Sequence, residues 1–181
     1  AVVLQFTLCA AVIVVAGTSM NAGKTTAAAQ LVHGLTRAGL RVGAGKLTGT
    51  GACADTILMR DAGARVVLDF TDIGLATTYL APLEAVEHSS EQIIAHLAAA
   101  QTDAIVVEIA DGLYQAETAA LLRSPRLRHL MGGLLFASPD AMGAVVVYDG
   151  TEYREQTPFV ARLVEDFDLN ENTVKTALGR M

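Results

Sequence analysis

The sequence is poor in aromatic residues, in lysine and in cysteine, and each shortage narrows the kind of protein it can encode. Aromatic side chains make up 5% of the chain, although 52% of its residues are hydrophobic. Ala, Val, Leu and Gly must therefore do most of the packing, which is typical of a mainly parallel α/β sheet covered on both faces. Part of the apolar excess also fits a subunit interface, so a homodimer is one expectation.

Basic residues are scarce as well, and the formal net charge is −6. A general nucleic-acid surface needs clustered Lys and Arg to neutralise phosphates, so this charge argues against nucleic acid as a partner. The chain has only three lysines against ten arginines. Two of them, Lys24 and Lys46, fall where a phosphate-binding site would need an ammonium group; the third is Lys175.

The two cysteines, Cys9 and Cys53, are far apart and lack metal-ligand spacing, which favours a cytoplasmic protein with reduced thiols. Residues 1–16 carry no charge. This run has no basic start, contains Gln5 and Thr7, and is shorter than the ~20 residues of a membrane-spanning helix. We interpret it as a buried strand, extended at its start by a linker from a longer parent protein, and expect no membrane partner.

The most informative stretch runs from Gly17 to Thr26 and reads Gly-Thr-Ser-Met-Asn-Ala-Gly-Lys-Thr-Thr. It follows the apolar run of residues 10–16 and precedes an amphipathic helical pattern. A glycine loop between a strand and a helix turns backbone N–H groups inward and adds the positive end of the helix dipole, which suits phosphates. Lys24 would add a positive charge over the outer phosphates, and the Thr25 hydroxyl would coordinate Mg²⁺.

Strand and helix patterns alternate along the rest of the chain and predict a three-layer α/β sandwich with a mainly parallel sheet. Residues 71–82 have no clear period and are expected to form a loop that touches substrate. Residues 1–148 would form the nucleotide-binding domain, and 149–181 a helical tail packed on it. Further strands are expected at 41–47, 66–70, 103–109, 134–137 and 144–148, and helices at 55–62, from a cap at Ser89 or Ser90 to Ala100, and from 117 to 123.

Parallel strands end on one edge of the sheet, where α/β folds bind ligands, so charged residues separated in sequence can meet there. Lys46 ends the second predicted strand, and Glu108 and Asp111 lie at the end of a later one. A carboxylate opposite a phosphate-binding loop is repelled by the bound phosphate unless a cation lies between the two anions. This makes Glu108 a candidate direct or water-mediated Mg²⁺ ligand. Lys46 would neutralise a transferring phosphate or a substrate carboxylate. The alternative for Lys46 is a plain exposed strand-end lysine, and the alternative for Glu108 is a strand-end carboxylate that faces solvent or pairs with an arginine.

Five residues, Thr18 to Ala22, separate the first glycine from Gly23 and Lys24, one more than in the usual phosphate-loop pattern. This longer loop resembles that of the dethiobiotin synthetase and cobyric or cobyrinic acid amide synthetase branch of the P-loop NTPases. The resemblance covers residues 10–148 and implies a P-loop NTPase fold with ATP and Mg²⁺ as cofactors. It also implies nucleotide contacts from Gly17, Thr18, Asn21, Ala22, Gly23, Lys24, Thr25 and Thr26.

In that branch the second strand ends in a lysine before a small-residue loop, to which Gly45-Lys-Leu-Thr-Gly-Thr-Gly51 is similar. A following aspartate helps to bind the metal. A later strand ends in a Val-Glu-Gly-Ala-Gly-Gly sequence, and Val107-Glu-Ile-Ala-Asp-Gly112 resembles it, with Ile109 and Asp111 as departures. The resemblance thus implies catalytic roles for Lys24, Lys46 and Glu108, and a metal site formed by Thr25, Asp55 and Glu108.

ATP in that branch phosphorylates a carboxylate or carbamate, and a nitrogen nucleophile then captures the mixed anhydride. The resemblance implies an Mg²⁺-dependent ATPase or ligase that activates a small-molecule carboxylate.

A non-catalytic, nucleotide-dependent accessory protein, similar to the molybdopterin-guanine dinucleotide accessory NTPases, is the alternative. A third hypothesis is DNA binding, because predicted helices at 158–167 and 171–180 resemble a helix-turn-helix, although acidic side chains there would oppose a phosphate backbone.

Overall fold

The computed structural model describes residues 10–140, residue 143 and the backbone of residues 160–164. Within these residues, strands and helices alternate along the chain. The strands are β1 (Ala11–Gly17), β2 (Val42–Lys46), β3 (Val66–Asp69), β4 (Ala104–Glu108), β5 (Gly133–Ser138) and β6 (Val160–Val164). The helices are α1 (Lys24–Arg37), α2 (Ala54–Asp61), α3 (Leu83–Ala99), α4 (Ala116–Arg123) and α5 (Pro125–Leu130).

The six described strands form one sheet in the order β3-β2-β4-β1-β5-β6, and every neighbouring pair is parallel. β4 lies between β1 and β2, although it follows them by more than fifty residues. The register sets Glu108 opposite Val15 on β1 and opposite Lys46 on β2. The strand order therefore brings the end of β4 between the glycine loop and the lysine that ends β2.

Helices cover both faces of the sheet, which confirms the predicted three-layer sandwich and its parallel sheet. α1 and α2 pack on one face through Ala28, Val32 and Met59. α3, α4 and α5 pack on the other face, where Ile93 and Leu121 are among the buried side chains. Because successive side chains of a strand point to opposite faces, a strand buried on both sides has a continuous apolar sequence. Within the described residues, the helices lack the combination of length and hydropathy that a membrane span requires.

The predicted start of α3 is too late in the chain. α3 begins at Leu83, directly after Pro82 at the N-cap position, whereas Ser89 and Ser90 are buried inside the helix. Ser90 Oγ donates a hydrogen bond to the carbonyl oxygen of Val86, so its hydroxyl is satisfied without capping the helix. The short helix α5 was not predicted at all, although Ser124 caps it by accepting a hydrogen bond from a backbone N–H of its first turn.

The tail contains a further correction. Residues 160–164 were predicted to lie in the helix at 158–167, but they form β6 and extend the sheet beside β5. The first helix of the proposed helix-turn-helix is therefore wrong over these residues. The predicted strand at 144–148 and the predicted helix at 171–180 lie outside the described residues, and the division of the chain at residue 149 stays a prediction.

Candidate functional site

The loop between β1 and α1 contains two residues with left-handed backbone angles. Asn21 and Gly23 have positive φ angles of 62° and 90°, so the chain turns back on itself before the helix begins. Gly17 is closely packed, because a Cβ at this position would be 2.9 Å from both Lys24 Cγ and the carbonyl oxygen of Ala137. The loop therefore needs a glycine at its first position in order to pack over the lysine.

Lys24, the first residue of α1, is a buried cation under this loop, with 5% of its surface exposed. Its ammonium group donates a hydrogen bond of 2.8 Å to the carbonyl oxygen of Ser19. Burial lowers the pKa of Lys24, although the nearby carboxylates of Glu108 and Asp111 act in the opposite direction. An ammonium group has three donors, so Lys24 can bind an anion while it holds the loop.

Thr25 lies between two carboxylates that come from distant parts of the chain. Its hydroxyl oxygen is 3.3 Å from Asp55 Oδ1 and 3.2 Å from Glu108 Oε1, so its proton can bond to one of them at a time. Glu108 is 2% exposed, and its Oε2 is buried without a hydrogen-bond partner among the described residues. Burial raises the pKa of Glu108, and the charge of Asp55 raises it further, whereas Lys46 and Lys24 oppose this. A buried carboxylate in this state is stabilised by a cation.

Lys46, the last residue of β2, is 7% exposed and forms an ion pair with Asp55 Oδ2. The loop after β2 packs closely against it. Gly49 has a φ of +137°, and a Cβ at this position would lie 2.9 Å from Lys46 Cε. The small residues after Lys46 thus let the loop fold over the lysine stem, and the ion pair joins the end of β2 to the first turn of α2.

These side chains line one cavity of about 540 Å³ at the carboxyl edge of the sheet. The structure therefore brings together most of the site residues predicted from the sequence. Three predicted residues of the loop are not in the lining: Gly17 and Ala22 are buried, and Thr18 is half-buried. The predicted residues that line the cavity are Asn21, Gly23, Lys24, Thr25, Thr26, Lys46, Asp55 and Glu108.

Four lining residues were absent from the sequence predictions, namely Met20, Gly49, Thr50 and Ala110. Three of them lie within four residues of the end of β2 or β4, so their position after a strand ending in a charged residue was the available signal. Asp111 was predicted to lie at this edge without a role in the site, and its φ of 62° is in the left-handed region. Met20 carried no signal, because an apolar side chain in a loop has no chemistry that marks it.

The described side chains are suited to an Mg²⁺ ion that is held partly by the protein and partly by the oxygens of a bound phosphate. Among the described residues, no group of three or more His, Cys, Asp or Glu side chains is arranged to hold a metal ion by itself. Mg²⁺ is commonly bound by one or two carboxylates together with phosphate oxygens and water. Asp55, Glu108 and the Thr25 hydroxyl supply oxygen ligands of that kind, and the buried Oε2 of Glu108 needs such a partner.

Comparison with known proteins identifies the fold. No family model matches the chain, and no curated protein matches its sequence. The cell division protein FtsY of Thermotoga maritima is similar in structure, with a TM-score of 0.56 and 16% identity over 84% of this chain and 52% of that one. The kinase domain of the Escherichia coli tyrosine kinase ETK has a TM-score of 0.55 and 10% identity over 91% of this chain and 72% of its own. This chain has a P-loop NTPase fold.

A ParA family ATPase from Chlorobium tepidum TLS agrees with that assignment, with a TM-score of 0.51 and 12% identity over 94% of this chain and 81% of its own. At such identities the likeness shows the fold alone. The chain also spans only about half the length of the FtsY structures that it matches. The predicted P-loop NTPase fold is confirmed, whereas the narrower resemblance to the dethiobiotin synthetase branch is not shown.

Proposed function

We propose that the 540 Å³ cavity binds a nucleoside triphosphate with Mg²⁺ and transfers its terminal phosphoryl group to a small-molecule carboxylate. The observation that carries this proposal is the Thr25 hydroxyl between Asp55 and Glu108, in the same cavity as two buried lysines. The backbone N–H groups of the glycine loop and the start of α1 would hold the phosphates. Lys24 would neutralise the outer phosphates from beneath the loop.

The charge of the cavity supports a role for a divalent cation. Its lining contains three carboxylates, Asp55, Glu108 and Asp111, against two ammonium groups. A triphosphate alone would add several negative charges to this surface, which like-charge repulsion opposes. Thr25, Asp55 and Glu108 would hold Mg²⁺, which when bound neutralises charge on the phosphate oxygens.

The proposed reaction needs no covalent nucleophile from the protein. An acceptor carboxylate oxygen forms a bond to the terminal phosphorus, while the bridging P–O bond breaks and its electron pair leaves with the nucleoside diphosphate. The product is an acyl phosphate, which a nitrogen nucleophile can attack. Lys46 would neutralise charge on the acceptor or on the transferred group, so the protein acts by positioning and electrostatic stabilisation.

Two substitutions test the proposal. Lys24→Ala is expected to abolish the binding of ATP and GTP with Mg²⁺, measured by isothermal titration calorimetry, because it removes the buried cation of the loop. Glu108→Gln is expected to spare binding but to lower Mg²⁺-dependent turnover by about 100-fold, the scale of losing one electrostatic contact to a transition state. Asp61→Asn, an exposed carboxylate change at the end of α2, is the matched control. Unchanged turnover in both site variants would refute the proposal.

The acceptor is tested separately. Turnover that rises when small carboxylic acids are added, with formation of an acid-labile acyl phosphate or its hydroxamate after trapping, is the result expected for carboxylate activation. Slow hydrolysis that no added acid stimulates would instead favour the nucleotide-dependent accessory role. Comparison of ATP with GTP in the same assay identifies the preferred base.

A further inference from the structure

A second cavity of about 280 Å³ lies beside the first. The two cavities share Met20, Gly49, Thr50 and Asp111 as lining residues. The remaining walls of the second cavity come from the loop after β2, the loop after β3 and the start of α4, which contribute Thr48, Thr78, Tyr79, Gln115, Glu117 and Thr118. A molecule in the second cavity would therefore be next to whatever the first one binds.

Hydrogen bonds between neighbouring loops hold the walls of this second cavity. Thr78 Oγ1 accepts a bond of 2.8 Å from the N–H of Gly49, which joins the loops after β2 and β3. The N–H of Ala110 donates to Thr48 Oγ1 at 2.8 Å, and Thr118 Oγ1 donates to the carbonyl oxygen of Ala110 at 2.9 Å. Three loops and the start of α4 are thus tied into one wall. The cavity is preformed, as small-molecule sites usually are.

The charge of the second cavity differs from that of the first. Its described lining contains the carboxylates of Asp111 and Glu117 and no basic side chain. Lys24 and Lys46 line the first cavity but not the second. Glu117 is held across the cavity because its Oε1 accepts a hydrogen bond from the N–H of Leu80, which leaves Oε2 to meet a ligand. In the two cavities taken together, both lysine ammonium groups lie at one end, and the only charged side chains in the described lining at the other end are carboxylates.

We propose that the second cavity binds an ammonium group of the acceptor, so that the acceptor is a small amino carboxylate with its carboxylate directed towards the first cavity. This inference rests on the proposed function of the first cavity. A purely anionic acceptor would meet like charges from Asp111 and Glu117, whereas an ammonium group would gain charge-assisted hydrogen bonds from them. The ring of Tyr79, which also lines this cavity, attracts cations through its face.

The experiment compares matched pairs of probes that differ only by an amino group. The pairs are propanoate with 3-aminopropanoate, butanoate with 4-aminobutanoate, and hexanoate with 6-aminohexanoate. Each probe is titrated into the protein loaded with Mg²⁺ and a non-hydrolysable ATP analogue, and binding is followed by ligand-observed NMR. We expect at least one amino probe to bind about 10-fold more tightly than its parent acid, as gaining one charged contact predicts.

Glu117→Gln is expected to remove this preference, because glutamine keeps an oxygen that can accept from Leu80 but loses the charge. Glu117→Lys is expected to reverse it in favour of the parent acids. Asp61→Asn is the control and is expected to keep the preference. Binding of the Mg²⁺ analogue complex is measured first in each protein, as a check of its fold.

Each remaining outcome overturns a different claim. If the analogue binds but no amino probe is preferred, or if the preference survives in both Glu117 variants, the ammonium subsite is wrong and the proposed function stands. If the wild-type protein does not bind the Mg²⁺ analogue complex at all, the proposed function fails and the subsite with it.

Discussion

The electrostatic properties of the site depend strongly on the buried carboxylate of Glu108. It is buried at the end of a central strand, its Oε2 has no partner among the described residues, and its pKa is raised by burial. Buried charges of this kind oppose folding unless a cation compensates them. Proteins tolerate such residues at functional sites and lose some stability as a result.

Glu108→Gln is therefore expected to stabilise the protein in the absence of nucleotide and metal. Because the folded-state pKa of Glu108 is raised, its contribution to stability is greatest below the ordinary value of 4.5 and is lost as pH rises through the folded-state pKa. Glutamine does not titrate, so the difference between variant and wild type should widen with pH over that interval and then level off, at roughly 1 kcal/mol or more.

Urea unfolding at a series of pH values, with a chelator present, measures this difference. Asp61→Asn serves again as the exposed control and should show little change. A Glu108→Gln protein that is less stable than the wild type at neutral pH would contradict the prediction.

At the scale of elements, the loop after β4 supports the glycine loop through a backbone contact. A Cβ on Gly112 would overlap the carbonyl oxygen of Thr18 and lie 2.8 Å from Cα of Ser19. Backbone atoms cannot move aside as the end of a flexible side chain can. The absence of a side chain at Gly112 therefore lets the two loops touch, and the position of one depends on the other.

Gly112→Ala is expected to displace the glycine loop and weaken Mg²⁺–nucleotide binding by about 10-fold or more, since even a small misplacement of binding groups is costly. Gly34→Ala is the matched control, because Gly34 lies inside α1, is exposed, and an added Cβ would meet nothing within 4 Å. That control should raise the free energy of unfolding by about 0.5–1 kcal/mol through helix propensity. Calorimetric titration and urea unfolding of both variants check the pair; wild-type affinity in Gly112→Ala would show that the contact is unimportant.

The strands at the centre of the sheet were predicted well, whereas elements at which a local sequence signal conflicts with tertiary packing were predicted poorly. β1 to β5 lie within two residues of their predicted bounds. The start of α3 was misjudged because serine is a good N-cap, yet Ser89 and Ser90 face the interior. β6 was missed because its residues also fit the helical pattern predicted for 158–167, and pairing with β5 decides their conformation.

At the scale of the whole molecule, ligand binding and stability are linked. A ligand that binds only the folded state stabilises it by about 2.7 kcal/mol when present at a hundred times its dissociation constant. The effect should be large here, because the site contains charges from α1, β2, α2 and β4, three of them buried, that a bound ligand would compensate. The size of this ligand-induced stabilisation therefore depends on the whole carboxyl edge of the sheet and not on one contact.

Mg²⁺ with ATP or GTP is therefore expected to raise the midpoint of thermal unfolding, by several degrees for a domain of this size. Mg²⁺ alone should have a smaller effect, and Lys24→Ala should remove the response to nucleotide. Differential scanning fluorimetry over a range of nucleotide concentrations measures this shift of the unfolding midpoint. An unfolding midpoint that no nucleotide shifts in the wild type would contradict the prediction.

The sequence by itself determined the parts of this protein whose information is local. The glycine loop, Lys24 and Thr25 lie within ten consecutive residues, and Lys46 and Glu108 each end an apolar strand. Alternating patterns were enough to predict a parallel sheet with covered faces. The catalytic and metal-binding roles of these residues stay predictions.

Only the tertiary structure decided which strands are neighbours, and with it the shape of the site. The insertion of β4 between β1 and β2 sets Glu108 beside Lys46, and the contact of three loops with α4 forms the second cavity. Buried parallel strands have similar apolar sequences, so their order depends on how the helices pack over the entire sheet. That packing is a property of the folded chain, which no single stretch of sequence contains.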